Sequence, residues 1–141
     1  MRIAVINGPN LNLLGKREPE IYGSTSLDEV NNDLINRFKH VEFTFFQSNI
    51  EGEIVNALQQ AMRYSDGIIL NAGAYTHTSV AIGDTVAAIK IPVIEVHITN
   101  IAKRENFRHH SFISAHALGS IIGLGVEGYA LAVLWFSETK S

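Results

Sequence analysis

The chain begins with the strand-like run RIAVI (residues 2–6), and NGPNLNLLGKREPEIY (residues 7–22) follows it directly. The second stretch contains three Asn, two Gly, two Pro, one Arg and one Tyr, and it shows neither helical nor strand periodicity. A connection of this length is uncommon in a compact domain unless it is a lid or a binding loop. A surface excursion with no binding role is the alternative that composition leaves open.

Apolar runs of strand length recur along the chain, and helical patterns fill the gaps between them. The runs cover residues 3–6, 41–46, 67–70, 93–96 and 120–124. The first predicted helix begins after a capping box at Ser26, and its apolar face runs from Leu27 to Phe38. The other predicted helices cover 54–62, 80–89 and 125–136. This alternation predicts an α/β fold, a flavodoxin-like doubly wound five-stranded parallel sheet, in a single domain over residues 1–141.

Composition argues against several classes of protein. The net charge is −3, the isoelectric point is near 6.0, and the 11 Lys and Arg residues form no run, so we expect no nucleic-acid surface. No segment approaches the roughly 18 apolar residues of a membrane span, and no basic leader precedes a long apolar stretch. With no cysteine, the chain has neither disulfides nor a thiolate metal site. We expect a soluble, cytoplasmic protein whose mean hydropathy of +0.11 reflects apolar surface buried between copies.

Polar side chains follow four of the predicted strands. Asn7, the segment 47–49 (QSN), Asn71 and His97 come directly after successive apolar runs. In open parallel sheets, ligands bind beyond the carboxyl ends of the strands. Turns also favour Asn, so each residue alone is uninformative, but together they predict a polar crevice.

Two common ligands of this fold do not suit the crevice. A phospho-acceptor site needs carboxylates for a divalent cation where this chain has Asn7 and Asn71. A flavin phosphate needs a loop of small residues after the first strand, and Leu11, Leu13 and Leu14 are bulky.

The stretch GLGVEG (residues 123–128) matches a dinucleotide-binding fingerprint, but only 13 residues follow it. A second strand and a ribose-binding acid cannot fit in that length, so a tight turn before a helix is the better interpretation. The six His residues show no zinc-binding spacing, and we predict no metal site.

Two residue pairs could carry acid–base chemistry. Glu95 and His97 share one face of a strand, so the carboxylate can orient and charge the imidazole as a general acid. Tyr22 and Arg17 lie in the long loop, and a cation about 4 Å from a phenol oxygen is worth roughly 4 kcal/mol to its ionised form. The alternatives are that His97 forms hydrogen bonds only with backbone groups, and that Tyr22 only anchors the loop by packing.

Two further pairs of residues have helical spacing. Arg104 and Arg108 share a face if their segment is helical, as do His77 and Asp84 at the start of a helix. Cations beside neutral donors suit a small hydroxylated carboxylate, although a solvated helix surface explains the same charges.

Eight motifs carry a family resemblance. They are NGPNLNLLG (7–15), REP (17–19), YG (22–23), QSN (47–49), NAG (71–73), HTS (77–79), IEVH (94–97) and FR (107–108). Together they resemble type II 3-dehydroquinate dehydratase nearly end to end. The resemblance implies the loss of water from 3-dehydroquinate to give 3-dehydroshikimate, through an enolate and without a cofactor, in the shikimate route to chorismate and aromatic amino acids.

The resemblance also implies catalytic roles. Tyr22 matches the proton acceptor at the carbon beside the ketone, and Arg17 matches the lid arginine that stabilises the transition state. Asn12 is similar to the residue that holds a water against the enolate oxygen. His97 matches the proton donor to the departing hydroxyl, and Glu95 matches its orienting partner.

Substrate-binding residues follow in the same way. By resemblance, Asn71 and the backbone amides of Ile98 and Thr99 hold the substrate, including its carboxylate. His77 and Arg108 match contacts to ring hydroxyls.

The resemblance implies a homododecamer, a tetramer of trimers, in which Asp84 reaches the site of a neighbouring subunit. The lid covers about residues 15–24. This chain departs from the family pattern at Ile50 and Lys16, and neither position matches a catalytic residue. A non-catalytic sensor of a cyclic acid and a lyase for a related hydroxylated ring are the alternative functions.

Overall fold

Five parallel strands form one sheet in the order β2-β1-β3-β4-β5. The computed structural model describes residues 1–140, so the last residue of the predicted domain, Ser141, lies outside the described residues. The strands are β1 (Arg2–Asn7), β2 (Glu42–Gln47), β3 (Gly67–Asn71), β4 (Val93–His97) and β5 (Gly119–Ile122). Each predicted run is confirmed as a strand, although β5 ends two residues before the predicted run does.

The helices lie between the strands, as the alternation predicts. They are α1 (Pro19–Tyr22), α2 (Leu27–Arg37), α3 (Glu51–Tyr64), α4 (Val80–Ala88) and α5 (Glu127–Lys140). The capping box is confirmed, because the Ser26 hydroxyl accepts a hydrogen bond of 3.1 Å from the backbone N–H of Glu29. Among the described residues, no helix has the length and apolar character needed to cross a bilayer.

Helices cover both faces of the sheet. On one face, the side chains of Ile3, Val5 and Ile69 pack in a buried cluster with residues of α2 and α5. On the other face, Ile68 and Leu70 pack with residues of α3 and α4. Strands buried on both faces are typical of a doubly wound sheet, so the predicted fold class is confirmed.

The loop after β1 contains more regular structure than its sequence suggested. A 3-10 turn covers Leu11–Leu13, and α1 begins at Pro19, whose fixed φ suits the first position of a helix. Elements this short contain only about one helical turn, so no repeat of the pattern is present for periodicity to reveal. Leu11 and Leu14 are buried, so their side chains anchor the loop on the sheet.

The register of the sheet brings the polar strand ends together. Asn7 is paired with Gln47 of β2 on one side and with Asn71 of β3 on the other. These residues therefore form the predicted polar crevice at the carboxyl ends of the strands.

The glycine-rich stretch after β5 forms a turn. The backbone N–H groups of Gly123 and Gly125 donate hydrogen bonds of 3.0 Å to the carbonyls of His97 and Ile98. These bonds close the chain against the end of β4, and the interpretation as a turn is confirmed.

Candidate active site

The acid half of the site lies at the end of β4. His97 Nε2 is 3.0 Å from Glu95 Oε1, and the two residues are 5% and 0% exposed. Burial raises the pKa of Glu95, but hydrogen bonds from His97, Ser114 and Ser111 outweigh burial and bring this pKa below its ordinary value. The strand thus presents an imidazole that is backed by an ionised carboxylate.

The base half comes from two segments of the chain. Tyr22 ends α1, and its hydroxyl accepts a hydrogen bond of 2.8 Å from Nη1 of Arg104. The guanidinium carbons of Arg17 and Arg104 lie 5.1 and 5.4 Å from the centroid of the Tyr22 ring. Two cations therefore surround one phenol, and Arg104 rather than Arg17 holds the hydroxyl oxygen.

His77 lies beside the acid. Its ring is stacked on that of His97 with the centroids 6.2 Å apart, and its Nδ1 bonds the carbonyl of His110 at 2.8 Å. Burial lowers the pKa of His77, and the charges of His97 and Arg108 lower it further, although the bond to His110 opposes them. His77 is therefore neutral at pH 7, and its Nε2 remains available for a ligand.

A buried polar group lies beneath the crevice. The amide Nδ2 of Asn71 donates to the hydroxyl of Tyr129 at 2.9 Å, and that hydroxyl donates to Oδ1 of Asn7 at 2.5 Å. The Asn71 Oδ1 accepts from the backbone N–H of Gly73 at 3.1 Å. Both ends of the Asn71 amide are therefore fixed. Burial raises the pKa of Tyr129, which keeps its hydroxyl neutral.

One narrow cleft brings most of the predicted residues together. The predicted residues that line it are Arg17, Tyr22, Asn71, His77, His97, Ile98, Thr99 and Arg108. Its volume is about 80 Å³. A larger groove of about 650 Å³ lies between β2 and α3, and none of the predicted site residues lines it.

Comparison with known proteins gives the family. The model of "Dehydroquinase class II" matches residues 1–137. The chain belongs to the class II dehydroquinase family. The curated 3-dehydroquinate dehydratase of Gloeothece citriformis is 55% identical over 96% of this chain and 91% of its own length. That of Bacillus licheniformis is 51% identical over 99% of this chain and 97% of its own.

Solved structures of the family have the same fold. The crystal structure of the type II dehydroquinase from Butyrivibrio crossotus has a TM-score of 0.94 and 44% identity, covering 97% of both chains. The family resemblance and the fold expected from the motifs are therefore confirmed.

Three predicted residues do not line the cleft of this chain, and one of them, Glu95, is fully buried behind His97. Asn12 is exposed on the loop after β1, and its Oδ1 accepts from Nε2 of Gln47 at 3.4 Å. Asp84 is exposed on α4, and the structure does not place it beside His77 in the cleft. The shared helical face expected for His77 and Asp84 is absent here, because His77 ends a 3-10 turn before α4 begins.

Sequence reasoning missed four residues of the site. The sequence indicated Arg104 only through its helical spacing from Arg108, whereas the structure shows that it binds the Tyr22 hydroxyl. Tyr129 gave no signal, because it lies in the helical pattern of the last helix. Ser111 and Ser114 follow no strand and match no motif that was singled out.

Proposed function

We propose that this protein is a 3-dehydroquinate dehydratase that converts 3-dehydroquinate to 3-dehydroshikimate and water in the shikimate pathway. One observation carries the proposal. A phenol held by a guanidinium, Tyr22 with Arg104, and an imidazole backed by a buried carboxylate, His97 with Glu95, line the same cleft. An elimination that forms an enolate needs such a base and such an acid.

Tyr22 acts as the base. The guanidinium of Arg104 stabilises the phenolate form, which takes the proton from the carbon beside the ketone. The electron pair of that bond moves onto the ketone oxygen and forms an enolate. Arg17 adds positive charge over the Tyr22 ring and stabilises the transition state.

His97 acts as the acid. The enolate re-forms the ketone and expels the hydroxyl of the next carbon, and the His97 imidazolium gives its proton to that oxygen, which leaves as water. Glu95 favours the imidazolium form because its carboxylate is ionised and in contact with Nε2. Tyr22 then releases its proton to solvent and His97 takes one up, so both groups are restored.

The remaining cleft residues hold the substrate. The free amide N–H of Asn71 and the backbone amides of Ile98 and Thr99 bind the carboxylate, while His77 and Arg108 bind ring hydroxyls. Asn12 holds a water against the enolate oxygen once the loop after β1 has adjusted around the substrate.

Residues 15–24 act as a lid. A cleft of about 80 Å³ is small beside the roughly 300–1,000 Å³ of typical small-molecule pockets, and Arg17 and Tyr22 of this segment line it. This small volume supports a closed lid, which opens to admit a six-membered ring. Gly15 and Gly23 bracket the segment with φ of 88° and 82°.

The site is completed by a neighbouring subunit in a homododecamer of four trimers, to which each chain contributes Asp84. Large apolar side chains left exposed near β5 and on α5, including Leu118, Leu124 and Trp135, support burial between copies. A cytoplasmic location stays a prediction from the sequence.

The decisive experiment follows the ultraviolet absorbance of the conjugated enone after 3-dehydroquinate is added. Absorbance should rise in the presence of a chelator, because no role above uses a metal. Tyr22→Phe should abolish turnover while the exposed control Tyr64→Phe keeps it. Failure of the absorbance to rise, or near-normal turnover by Tyr22→Phe, would refute the proposed reaction or its base.

Complementation tests the role of Asp84. Asp84→Ala and Tyr22→Phe should each be inactive, and subunit exchange between them should restore part of the activity. A fully active monomer in sedimentation experiments would overturn the shared site.

A further inference from the structure

The carboxylate behind the acid is held by two serines of the segment between Arg108 and β5. Ser111 Oγ lies 2.9 and 3.3 Å from the two Glu95 oxygens, and Ser114 Oγ lies 2.8 and 3.2 Å from them. Together with His97 Nε2, three donors therefore converge on one buried carboxylate. A fully buried carboxylate needs such donors, because burial without them favours the neutral acid.

The direction of the Ser111 hydrogen bond follows from its other partners. Its Oγ accepts hydrogen bonds of 3.0 Å from the backbone N–H groups of Ile113 and Ser114. A hydroxyl has two acceptor positions and one proton, so the Ser111 proton must point at Glu95. A protonated Glu95 would keep a carbonyl acceptor but would lose part of its acceptor capacity, so the converging donors favour the ionised form. The pocket is therefore built for the ionised carboxylate.

An ionised Glu95 in turn determines which nitrogen of His97 can donate a proton to the substrate. A carboxylate accepts only, so His97 must donate from Nε2. Nδ1 is then the nitrogen left to carry the proton that moves to the substrate. Should Glu95 instead take the Nε2 proton, the imidazole would be neutral, and its remaining N–H would be a far weaker acid.

We propose that Ser111 and Ser114 are positioning residues that keep Glu95 an oriented carboxylate and so maintain His97 as a proton donor through Nδ1. This inference rests on the proposed dehydratase function for its kinetic consequences. Its structural part, the protonation state of His97, stands apart from turnover.

Other charged groups near the acid bear on the pH dependence. His97 faces the His77 ring at 6.2 Å, and the same cleft contains Tyr22, Arg17, Arg104 and Arg108. Among residues 1–139, His97 is the one cationic side chain in ion-pair contact with Glu95. The neighbours of Glu95 in the sheet, Leu70 and Ser120, carry no charge. Changing the serines therefore alters the acid without altering the cations.

Ser114→Ala is the cleaner variant, because the Ser114 hydroxyl bonds only the carboxylate, whereas Ser111 also caps two backbone N–H groups. We expect kcat to fall about tenfold, a fraction of the roughly 100-fold to 10,000-fold typical of a general acid, with KM within about twofold. The acid limb of the pH–rate profile should move to higher pH, because Glu95 then protonates sooner as the pH falls. Ser114→Thr keeps a hydroxyl and should restore the rate and the profile.

Ser137→Ala is the matched control, because Ser137 bonds His40 Nε2 at 3.0 Å far from the cleft. It should leave kcat, KM and the pH profile unchanged. If Ser114→Ala also leaves kcat and the acid limb unchanged, the serines only fold the loop and the proposal is wrong. A loss that Ser114→Thr does not restore would overturn it equally.

Nitrogen-15 NMR of the His97 ring in the unliganded protein separates the two proposals. In the unmodified protein, Nε2 should carry a proton at every pH at which the fold persists, and Nδ1 should titrate. Ser114→Ala should lower the pH at which the ring becomes charged. Identical ring titrations in both proteins would overturn the positioning role, even if 3-dehydroquinate is turned over. Failure of turnover with the expected titrations would instead contradict the proposed reaction.

Discussion

The two halves of the site are held by very different means. His97, the proposed acid, is 5% exposed at the end of a central strand, and the fully buried carboxylate of Glu95 fixes it. Tyr22, the proposed base, is half-buried on a four-residue helix of the proposed lid, and its hydroxyl partner Arg104 comes from a turn after β4. His97 is therefore positioned by contacts within the folded core, whereas in our proposal Tyr22 contacts Arg104 when residues 15–24 lie against the cleft.

This difference suits the chemistry that we propose. A proton donor keeps its function with a permanent partner, and burial strengthens the contact between Glu95 and His97. On a lid, Tyr22 gains its contact with Arg104 and is shielded from water on closure, so its strength as a base depends on closure. Variants that affect one half should therefore change different measurements from variants that affect the other.

The largest effect is expected at Arg104. Arg104→Gln removes the cation that bonds the Tyr22 hydroxyl, and a unit charge about 4 Å away is worth roughly 4 kcal/mol at an effective dielectric constant near 20. We expect kcat to fall about 100-fold to 1,000-fold in the steady-state assay. Lys103→Gln, at the exposed neighbouring cation, is the control and should keep the full rate.

Loss at Arg104 should exceed loss at Arg17, whose guanidinium lies over the ring rather than at the oxygen. A larger loss for Arg17→Gln than for Arg104→Gln would show that the lid arginine is the cation that matters. The base half of the site would then depend on residues of the lid alone.

Sequence reasoning could predict the acid half because its parts are local. Glu95 and His97 are two residues apart on one strand, and alternation along a strand places both side chains on the same face. The polar crevice was predictable for a similar reason, since parallel strands end at one edge of the sheet.

The base half was only partly predictable, because its key contact is distant in sequence. Tyr22 and Arg104 are 82 positions apart, and the hydrogen bond from Tyr129 to Asn7 spans 122 positions. No local spacing encodes such pairs. The short helix α1 was not predicted for a different reason. Its four residues form only about one turn, so the sequence contains no repeating helical pattern there.

A smaller effect is expected beneath both halves, at Tyr129. Tyr129→Phe leaves the buried Asn7 Oδ1 and Asn71 Nδ2 without their partner. Each such loss costs about 1–3 kcal/mol, so the free energy of unfolding should fall by about 2–6 kcal/mol in urea titrations. KM should rise several-fold because the Asn71 amide is less firmly oriented, while the exposed control Tyr64→Phe changes neither quantity.

A fall in stability without a change in KM would mean that Tyr129 supports the fold but not the binding of substrate. A fall in kcat at constant KM would connect it to the reacting groups instead. Either result would mean that substrate binding by Asn71 does not depend on its hydrogen bond with Tyr129.

The smallest effect is expected at Gly23, which we propose as a hinge of the lid. Gly23 has φ 82° and ψ 172°, a conformation that is essentially confined to glycine, and no atom lies within 4 Å of a Cβ built there. Gly23→Ala therefore strains the closed backbone without a steric clash, at a cost of about 1 kcal/mol. Because that cost falls on closure, the apparent affinity for a substrate analogue should drop about fivefold. Gly52→Ala is the matched control, since it also has open space around the built Cβ but lies within α3, where alanine is favoured. Its affinity should be unchanged, and equal affinities for the two variants would mean that residues 15–24 close without using this hinge.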